Sequence, residues 1–307
     1  MTILKQDQIK NFWQLPKDCY VESKPTPLAD TKLLKYNSNL AASCQWPTAS
    51  DSEWLDILSL AKSHPSYPPI ATPYAGHQYT ELLPLLGDGR SHLLAQLKGY
   101  NNTNYEIQAK GSGRTVYAGN GNGRLSLESA VKEYENSEKM ANLGIATTRS
   151  LAIFKSSEVA KRKSIYPAAL LIRTAPSFIR FGHFEYFYYQ QQPKLIKVLA
   201  DFVISNYFPD LWQLQHEQRY AKWFERIMRL NATMVAGWMC HGFCHGTINT
   251  DNMSIFGLTI DYGTCGWMAD FNFDFNSNIS DYTQRYAYYN QPMIVKWNLM
   301  QLSITLS

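Results

Sequence analysis

The stretch HGTINTDNMSIFGLTIDYG (residues 245–263) decides how this chain is read. It opens as a His-x-Asp loop would, but Thr247 stands where such a loop carries its base. The acid comes later, at Asp251, directly beside Asn252. Asp261 follows nine positions beyond the amide, just ahead of Tyr262-Gly263. Carboxylate and amide oxygens are the donors that a hard divalent cation takes. A carboxylate one residue from such a donor can accept the proton of a hydroxyl. Asp251 also has a plainer reading as a loop cap, because Asn249 and Thr250 precede it and Asx turns are common in such company.

Upstream, YAKWFERIMRLNATMVAGWMCHG (220–242) repeats large apolar residues at helical spacing and reads as a long core helix running straight into the polar loop. Within the loop, MSIFG and LTID are expected to form a short hairpin around Gly257 that brings Asp261 to a strand end. Further back, SHLLAQLKGY (91–100) and NYEIQAKG (104–111) flank Asn101-Asn102-Thr103 and read as another hairpin. In its second strand Tyr105, Ile107 and Ala109 alternate with Glu106, Gln108 and Lys110, which puts Lys110 on the face opposite the apolar set. The Gly-rich stretch GSGRTVYAGNGNGR (111–124) can turn its N–H groups toward phosphate oxygens, although such a stretch can equally be a set of turns. A helix follows over SLESAVKEYENSEKMANLG (126–144), with Gly144 at C′ and Glu133 bordering its apolar face. A strand with a lysine, a helix with a glutamate, a long helix, an Asp-Asn loop and a further Asp are together the components of a kinase-type phosphoryl-transfer site.

Bulk properties narrow the class. The chain has 307 residues, 45% of them hydrophobic and 18% charged, which suits one large packed domain or two lobes. Its net charge of +4 is scattered, so neither nucleic acid nor a membrane is expected as a partner. No apolar signal core opens the sequence and no run is long enough to span a bilayer, which makes a cytoplasmic protein the default. The odd set Cys19, Cys44, Cys240, Cys244 and Cys265 does not suggest a disulfide framework. CHGFCH (240–245) misses the haem spacing and has no second pair for zinc, so its thiols and histidines are expected to serve locally. WLDILSLA (54–61) reads as a small helix, Lys161-Arg162-Lys163 as a solvated loop, and FEYFYYQQQ (184–192) as a core face rather than a binding surface.

Seven segments together resemble the selenoprotein O family, called YdiU in bacteria: YAGHQ (74–78), LGDGR (86–90), KGSGRT (110–115), GIATTRSLAI (144–153), LIRTAPSFIRFGHFE (171–185), HGTINTDNMSIFGLTIDYG and YNQPMIVKWNL (289–299). They occur in the family's order over roughly residues 70–300, and NTDNMS followed by LTIDYG is the most specific of them. The resemblance implies a kinase-fold protein, once classed among pseudokinases, that transfers AMP from ATP to Ser, Thr or Tyr hydroxyls of proteins. The nucleotide lies flipped, with its α-phosphate facing the acceptor. Carried onto this sequence, Asp251 would be the proton acceptor, and Asn252 and Asp261 would hold Mg²⁺, with Mn²⁺ as the alternative. Lys110 would contact the phosphates and pair with Glu133, and Arg173 and Arg180 would grip the outer phosphates. Gly87, Gly89, Arg90 and Gly123 fall at the remaining ATP-contacting positions, with Asn122 beside them.

Two departures follow from the same resemblance. Asn122 stands where the family has Asp, keeping an acceptor oxygen but losing the charge, and AGNGNG lacks the usual Ser-Arg. Family members also continue past the WNL segment into further C-lobe helices and a tail that can carry a redox-active Cys or selenocysteine, whereas this sequence ends at QLSITLS. The expectation is therefore an α+β, two-lobed kinase-like fold with an incomplete C-lobe, leaving Ile294, Val295, Trp297 and Leu299 uncovered. Residues 1–67 would be a lead segment, 68–165 an N-lobe of mostly antiparallel sheet with a helix, and 166–307 a mainly helical C-lobe. A kinase-like phosphotransferase is one alternative, disfavoured by Thr247 and the place of Asp251. A degenerate nucleotide- or partner-binding relative is the other, and retention of Lys110, Glu133, Asp251, Asn252 and Asp261 opposes it.

Overall fold

The computed structural model describes residues 9–47, 51–99, 102–161 and 165–307. Ten strands come first: β1 (Val21–Glu22), β2 (Lys32–Tyr36), β3 (Ile70–Ala71), β4 (Gly76–Gln78), β5 (Glu81–Leu83), β6 (Ser91–Lys98), β7 (Asn104–Lys110), β8 (Leu125–Ser126), β9 (Arg149–Lys161) and β10 (Ile165–Ala175). Eight of them form one antiparallel sheet in the order β1-β3-β6-β7-β10-β9-β2, with β8 also paired to β10, while β4 and β5 make a separate ribbon. Helices α1 (Ser38–Ser43), α2 (Ser52–Leu58) and α3 (Leu127–Asn142) accompany the sheet. Residues 21–36, expected as part of a lead segment, supply edge strands on both sides of it.

The hairpin expected around residues 101–103 is β6–β7, with Ser91 opposite Lys110. Asn101 at its tip, and Arg162-Lys163 of the basic cluster, lie outside the described residues. Alternation in β7 holds: Ile107 and Ala109 enter a core with Leu94, Leu151, Ile172 and the α2 residues Trp54 and Leu58. Its polar face is buried too, so Glu106, Gln108 and Lys110 bond to protein groups instead of meeting water. Glu106 accepts from the Phe178 N–H at 2.7 Å and the Ser177 hydroxyl at 2.9 Å, and burial pushes its carboxyl up to about 8. Helix α3 starts where the Ser126 hydroxyl caps the Ser129 N–H, and it stops before Gly144, whose φ of +72° suits the C′ position. Glu133 falls on its buried face with Ala130, Ser137 and Met140.

The rest is mainly helical: α4 (Phe181–Tyr189), α5 (Pro193–Tyr207), α6 (Pro209–Trp212), α7 (His216–Cys240) and α8 (Gln291–Thr305), with a two-stranded ribbon of β11 (Phe243–Cys244) and β12 (Gly266–Trp267). One large core joins them through Phe184, Val203, Trp223, Ile227, Trp238 and Leu302. Phe184 and Phe187 of the aromatic run are buried, as expected of a core face. Among the described residues no helix is long and apolar enough to cross a membrane.

Two expectations are corrected. The hairpin around Gly257 is reduced to a single bridge between Met253 and Thr259. The backbone of Thr259 is used elsewhere: its N–H donates to Ala146 O at 2.9 Å and its carbonyl accepts from the Thr148 N–H at 3.0 Å. The apolar face of α8 is also not left uncovered. Ile294 and Val295 are buried and Trp297 and Leu299 half-buried, because α8 seats against α4 and α7; the apolar side chains that do face outward are Met293, Met300 and Ile304.

His92 gives the sheet a pH signature. Its ring is fully buried between Ser23 Oγ, 2.9 Å from Nε2, and Ser112 Oγ, 2.7 Å from Nδ1. Burial lowers its pKa to about 4, so the neutral ring is the native form. A base whose folded pKa is depressed contributes stability that is complete above its unfolded value near 6.5 and is lost as pH falls towards 4. Urea denaturation at pH 7 and pH 5 is expected to show His92 contributing a loss on the order of 2 kcal/mol. His92→Gln should remove that contribution from the measured pH 7-to-5 difference, and an unchanged difference in that variant would refute the assignment.

Candidate active site

A cavity of about 380 Å³ opens between the sheet and the helical half, lined by Gly87, Gly89, Arg90, Lys110, Asn122, Gly123, Arg173, Arg180 and Asp261. Every residue that the sequence suggested for nucleotide contact is therefore on one wall or another of the same space. Tyr74, Asp88, Tyr117 and Arg124 also line it and were not anticipated. Glycine is required where the walls meet. Gly123 has φ +72°, and a Cβ there would lie 2.1 Å from the carbonyl carbon of Gly113 in the opposite arm of the loop. Gly87, at φ +72°, would drive a Cβ to 2.4 Å from the Tyr117 ring. Asn122 uses its Oδ1 to accept from the Arg124 N–H at 3.1 Å, so the residue that departs from the family staples its own turn. Arg124 is taken up by Glu158 and by the carbonyls of Thr26 and Pro27.

The floor is a buried ion cluster. Lys110 Nζ lies 2.5 Å from Glu133 Oε2 and 3.4 Å from Asp261 Oδ1, and Arg173 Nη1 lies 2.9 Å from Glu133 Oε1. Arg173 also gives Nε and Nη2 to Gln108 Oε1, at 2.9 and 2.6 Å. Burial works against the Glu133 carboxylate, but Lys110 and Arg173 together outweigh it and hold the group below the usual carboxylate range. Lys110 is the main influence on Asp261, stronger than burial, and with Arg90, Arg173 and Arg180 it keeps that carboxyl far below its ordinary value. Asp261 adopts φ +69°, a left-handed conformation unusual for a residue with a side chain. The guanidinium of Arg90 makes no hydrogen bond and no ion pair among the described residues. Arg90, Lys110, Arg173 and Arg180 thus face three carboxylates, Asp88, Glu133 and Asp261, an excess of positive charge that suits a polyanion.

Asp251 and Asn252 sit just outside this lining, in a single 3₁₀ turn, Thr250–Asn252. Arg180 joins the two places: it lines the cavity and donates from Nη1 to Asp251 O at 2.8 Å. Asp251 Oδ1 is buried with no hydrogen-bond partner among the described residues, and burial, opposed by Arg180, raises the carboxyl to about 7. Gly76 makes the room for it, since a Cβ there would come within 2.3 Å of that same oxygen. The turn hangs on groups that sequence reasoning did not identify. Thr250 Oγ1 donates to Glu185 Oε2 at 2.6 Å and accepts the His77 N–H at 2.7 Å, and His77 Nδ1 lies 2.7 Å from Glu185 Oε1. YAGHQ and the Glu185 segment were visible only as matched stretches, because no spacing in the sequence announces that a β-ribbon and α4 will meet beneath residue 250.

Asn252 donates from Nδ2 to Thr247 O at 3.0 Å, which leaves its Oδ1 as an acceptor without a partner among the described residues. Together with the ionised Asp261 this is a sparse oxygen set, and no group of three or more His, Cys, Asp or Glu among the described residues makes a ready metal cage. Such a set fits Mg²⁺, which is commonly held by one or two protein oxygens and completed by substrate phosphates and water.

The chain matches the family model described as "Protein adenylyltransferase SelO" over residues 2–307. Its relatives include proteins named "Protein nucleotidyltransferase YdiU". The one from Vibrio cholerae is 43% identical over 298 residues, covering 97% of this chain and 60% of the relative. That from Nitrosospira multiformis is 40% identical over 295 residues, covering 92% and 52%, and that from Photobacterium profundum is 40% identical over 323 residues, covering 100% and 63%. The chain thus spans roughly three fifths of the length of these relatives. With the family model matched along nearly the whole sequence, the chain belongs to the SelO family of protein adenylyltransferases.

Proposed function

We propose that the chain transfers AMP from ATP to hydroxyl side chains of proteins, on a two-lobed kinase-like fold. The observation that carries this reading is the convergence of Arg90, Lys110, Arg173, Arg180 and the ionised Asp261 on one cavity, with the buried Asp251 carboxyl, whose Oδ1 has no hydrogen-bond partner among the described residues, beside it. In this arrangement 68–165 and 166–307 are the lobes, with β10 carrying the sheet on to Ala175. The α-phosphate of ATP faces Asp251, and the outer phosphates lie among the arginines. The acceptor oxygen attacks the α-phosphorus, and the bond from that phosphorus to the β-bridging oxygen breaks. Pyrophosphate leaves, and the acceptor proton passes to Asp251. Mg²⁺ or Mn²⁺, held by Asn252 and Asp261, supplies positive charge to the phosphate oxygens when bound. Lys110, fixed by Glu133, neutralises phosphate charge from the opposite side, and the cation field acts on the transition state without having to reorganise.

ATP labelled at the α- or the γ-phosphate separates the possible reactions. The expected outcome is protein label from the α-position only, abolished in Asp261→Ala. Label from the γ-position would make the chain a kinase, and none from either with acceptors supplied would leave a nucleotide-binding relative.

Two substitutions test the proton acceptor and its mounting. Asp251→Asn is expected to lower the transfer rate by on the order of 10²–10⁴-fold while ATP affinity, measured by calorimetry, stays close to that of the parent. Glu185→Gln, which loosens Thr250 without touching the cavity, is expected to lower kcat about tenfold with KM for ATP unchanged. An equal loss of ATP affinity in either variant would contradict these roles.

A further inference from the structure

An opening of about 450 Å³ lies where the turn between β4 and β5 meets the segment leading into α8, lined by Tyr79, Thr283, Arg285, Asn290 and Ile294. Arg285 is the charged residue of that lining. It forms no ion pair among the described residues, and its Nε is buried with no hydrogen-bond partner among them. Its guanidinium carbon lies 5.0 Å from the centre of the Trp297 ring and 5.8 Å from that of Tyr286. Aromatic faces steady a cation but leave its N–H donors unspent. The neighbouring groups are committed elsewhere. Asp281, 3% exposed, accepts the Tyr286 N–H at 2.7 Å, Asn276 Nδ2 at 2.9 Å and the Thr283 hydroxyl at 2.8 Å. The Tyr286 hydroxyl accepts the Tyr79 N–H at 3.0 Å and donates to Asn249 Oδ1. Tyr79 differs: its hydroxyl accepts from Asn278 Nδ2 at 3.4 Å and keeps its own proton to give. The Tyr79 ring stands edge-on to Tyr286 at 5.1 Å, so both it and Arg285 rest on the same tyrosine.

Printed contacts tie this opening to the proton acceptor from both walls. Tyr79 is three residues beyond Gly76, whose Cα lies against Asp251 Oδ1, so its own Cα is at most roughly 11 Å from that contact. On the other wall, Tyr286 bonds Asn249, two positions before Asp251. Trp297, under Arg285, packs edge-on against the His77 ring at 5.4 Å, and the His77 N–H donates to Thr250 Oγ1 at 2.7 Å. We infer that Arg285 and the Tyr79 hydroxyl form an anion site that receives an Asp or Glu side chain of the acceptor protein, a few residues from the hydroxyl that takes AMP. The inference rests on the transfer reading above and names the acceptor chemistry of that site. Charge number selects the ligand. The cavity beside Asp261 gathers several cations, as a polyanion needs, whereas one guanidinium and a neutral hydroxyl match a single negative charge. The planar fork of an arginine also fits a carboxylate.

The test uses two fluorescent peptides around one Ser acceptor, with Glu two to four positions away on both sides in one and Gln at the same places in the other. Fluorescence anisotropy reports binding without turnover, and label from the α-phosphate of ATP reports transfer. The chain is expected to bind the Glu peptide about fivefold or more tightly than the Gln peptide. Arg285→Gln should abolish that preference, with binding of the Gln peptide and ATP affinity unchanged, and Arg285→Lys should restore part of it by keeping the charge without the fork. Tyr79→Phe, at a half-exposed ring, should reduce the preference and serves if Arg285→Gln does not fold. Equal binding of the two peptides, binding of neither, or a preference that survives both Arg285→Gln and Tyr79→Phe overturns the site. Phosphoserine in place of Glu that binds more than about tenfold tighter overturns the carboxylate assignment by making a phosphate the occupant. A preference that behaves as expected without any transferred label supports the site and counts against the transfer reading alone.

Discussion

The Glu133 carboxylate, buried between Lys110 and Arg173, is the interaction on which the rest of the site depends. It ties three elements together: Lys110 ends β7, Glu133 lies on the inner face of α3, and Arg173 comes from β10. Two cations brought this close inside a protein repel each other, and each loses its hydration. An ionised carboxylate bonded to both offsets those costs. Removing it would leave the cations uncompensated, an effect of about 3–5 kcal/mol for a broken buried pair. The cluster is also not neutral. With Asp261 near Lys110 and Arg90 and Arg180 on the walls, positive charge is in excess, and that excess fills a cavity that a polyanion would enter.

A second constraint is steric and holds the other half of the site. The Asp251 turn is clamped from below by Thr250 on Glu185 and from the side by the bare Cα of Gly76. Gly182 has the same role a layer below, where a Cβ would lie 2.1 Å from Ala75 O. Ribbon β4–β5 and helix α4 therefore approach as backbone against backbone. That closeness lets His77 reach both Glu185 and Thr250. Arg180, at the first turn of α4, then couples this clamp to the cavity through the Asp251 carbonyl. The ion cluster and the clamp share no residue, yet both end on the walls of one space.

What could be read in the sequence was whatever follows from local periodicity. Alternation in β7 placed Lys110 correctly, and the helix read over 126–144 with Gly144 at C′ matches α3 to within a residue or two. The long helix α7 was legible for the same reason. The failures share a cause as well. MSIFG and LTID have strand-like composition, but the hydrogen bonds of Thr259 are captured by residues 146 and 148, more than a hundred positions away. The α8 residues were expected to be uncovered because no later helix is present, whereas α4 and α7 already cover Ile294 and Val295. His77, Glu185 and Thr250 form a network across three distant segments, and no single segment reveals it. Long-range pairing escaped local reading in each case.

The resemblance gave residues their names, but it did not apportion their work. Arg173 and Arg180 were both expected to grip outer phosphates, and the structure divides them. Arg173 already spends Nε, Nη1 and Nη2 on Gln108 and Glu133, so one N–H on each terminal nitrogen remains, and its plane is fixed before any ligand arrives. Arg180 is anchored once, through Nη1 to Asp251 O, and its Nε is buried without a partner among the described residues. Arg90 is not anchored at all among the described residues. An arginine held at three nitrogens contributes mainly a fixed field, whereas a free one can adjust its fork to an incoming anion. The pre-set charge therefore lies on the floor, with Lys110 and Arg173, and the adaptable charge at the rim, with Arg90. A site built this way is electrostatically ready before a polyanion enters, while the rim keeps the freedom to adjust to it.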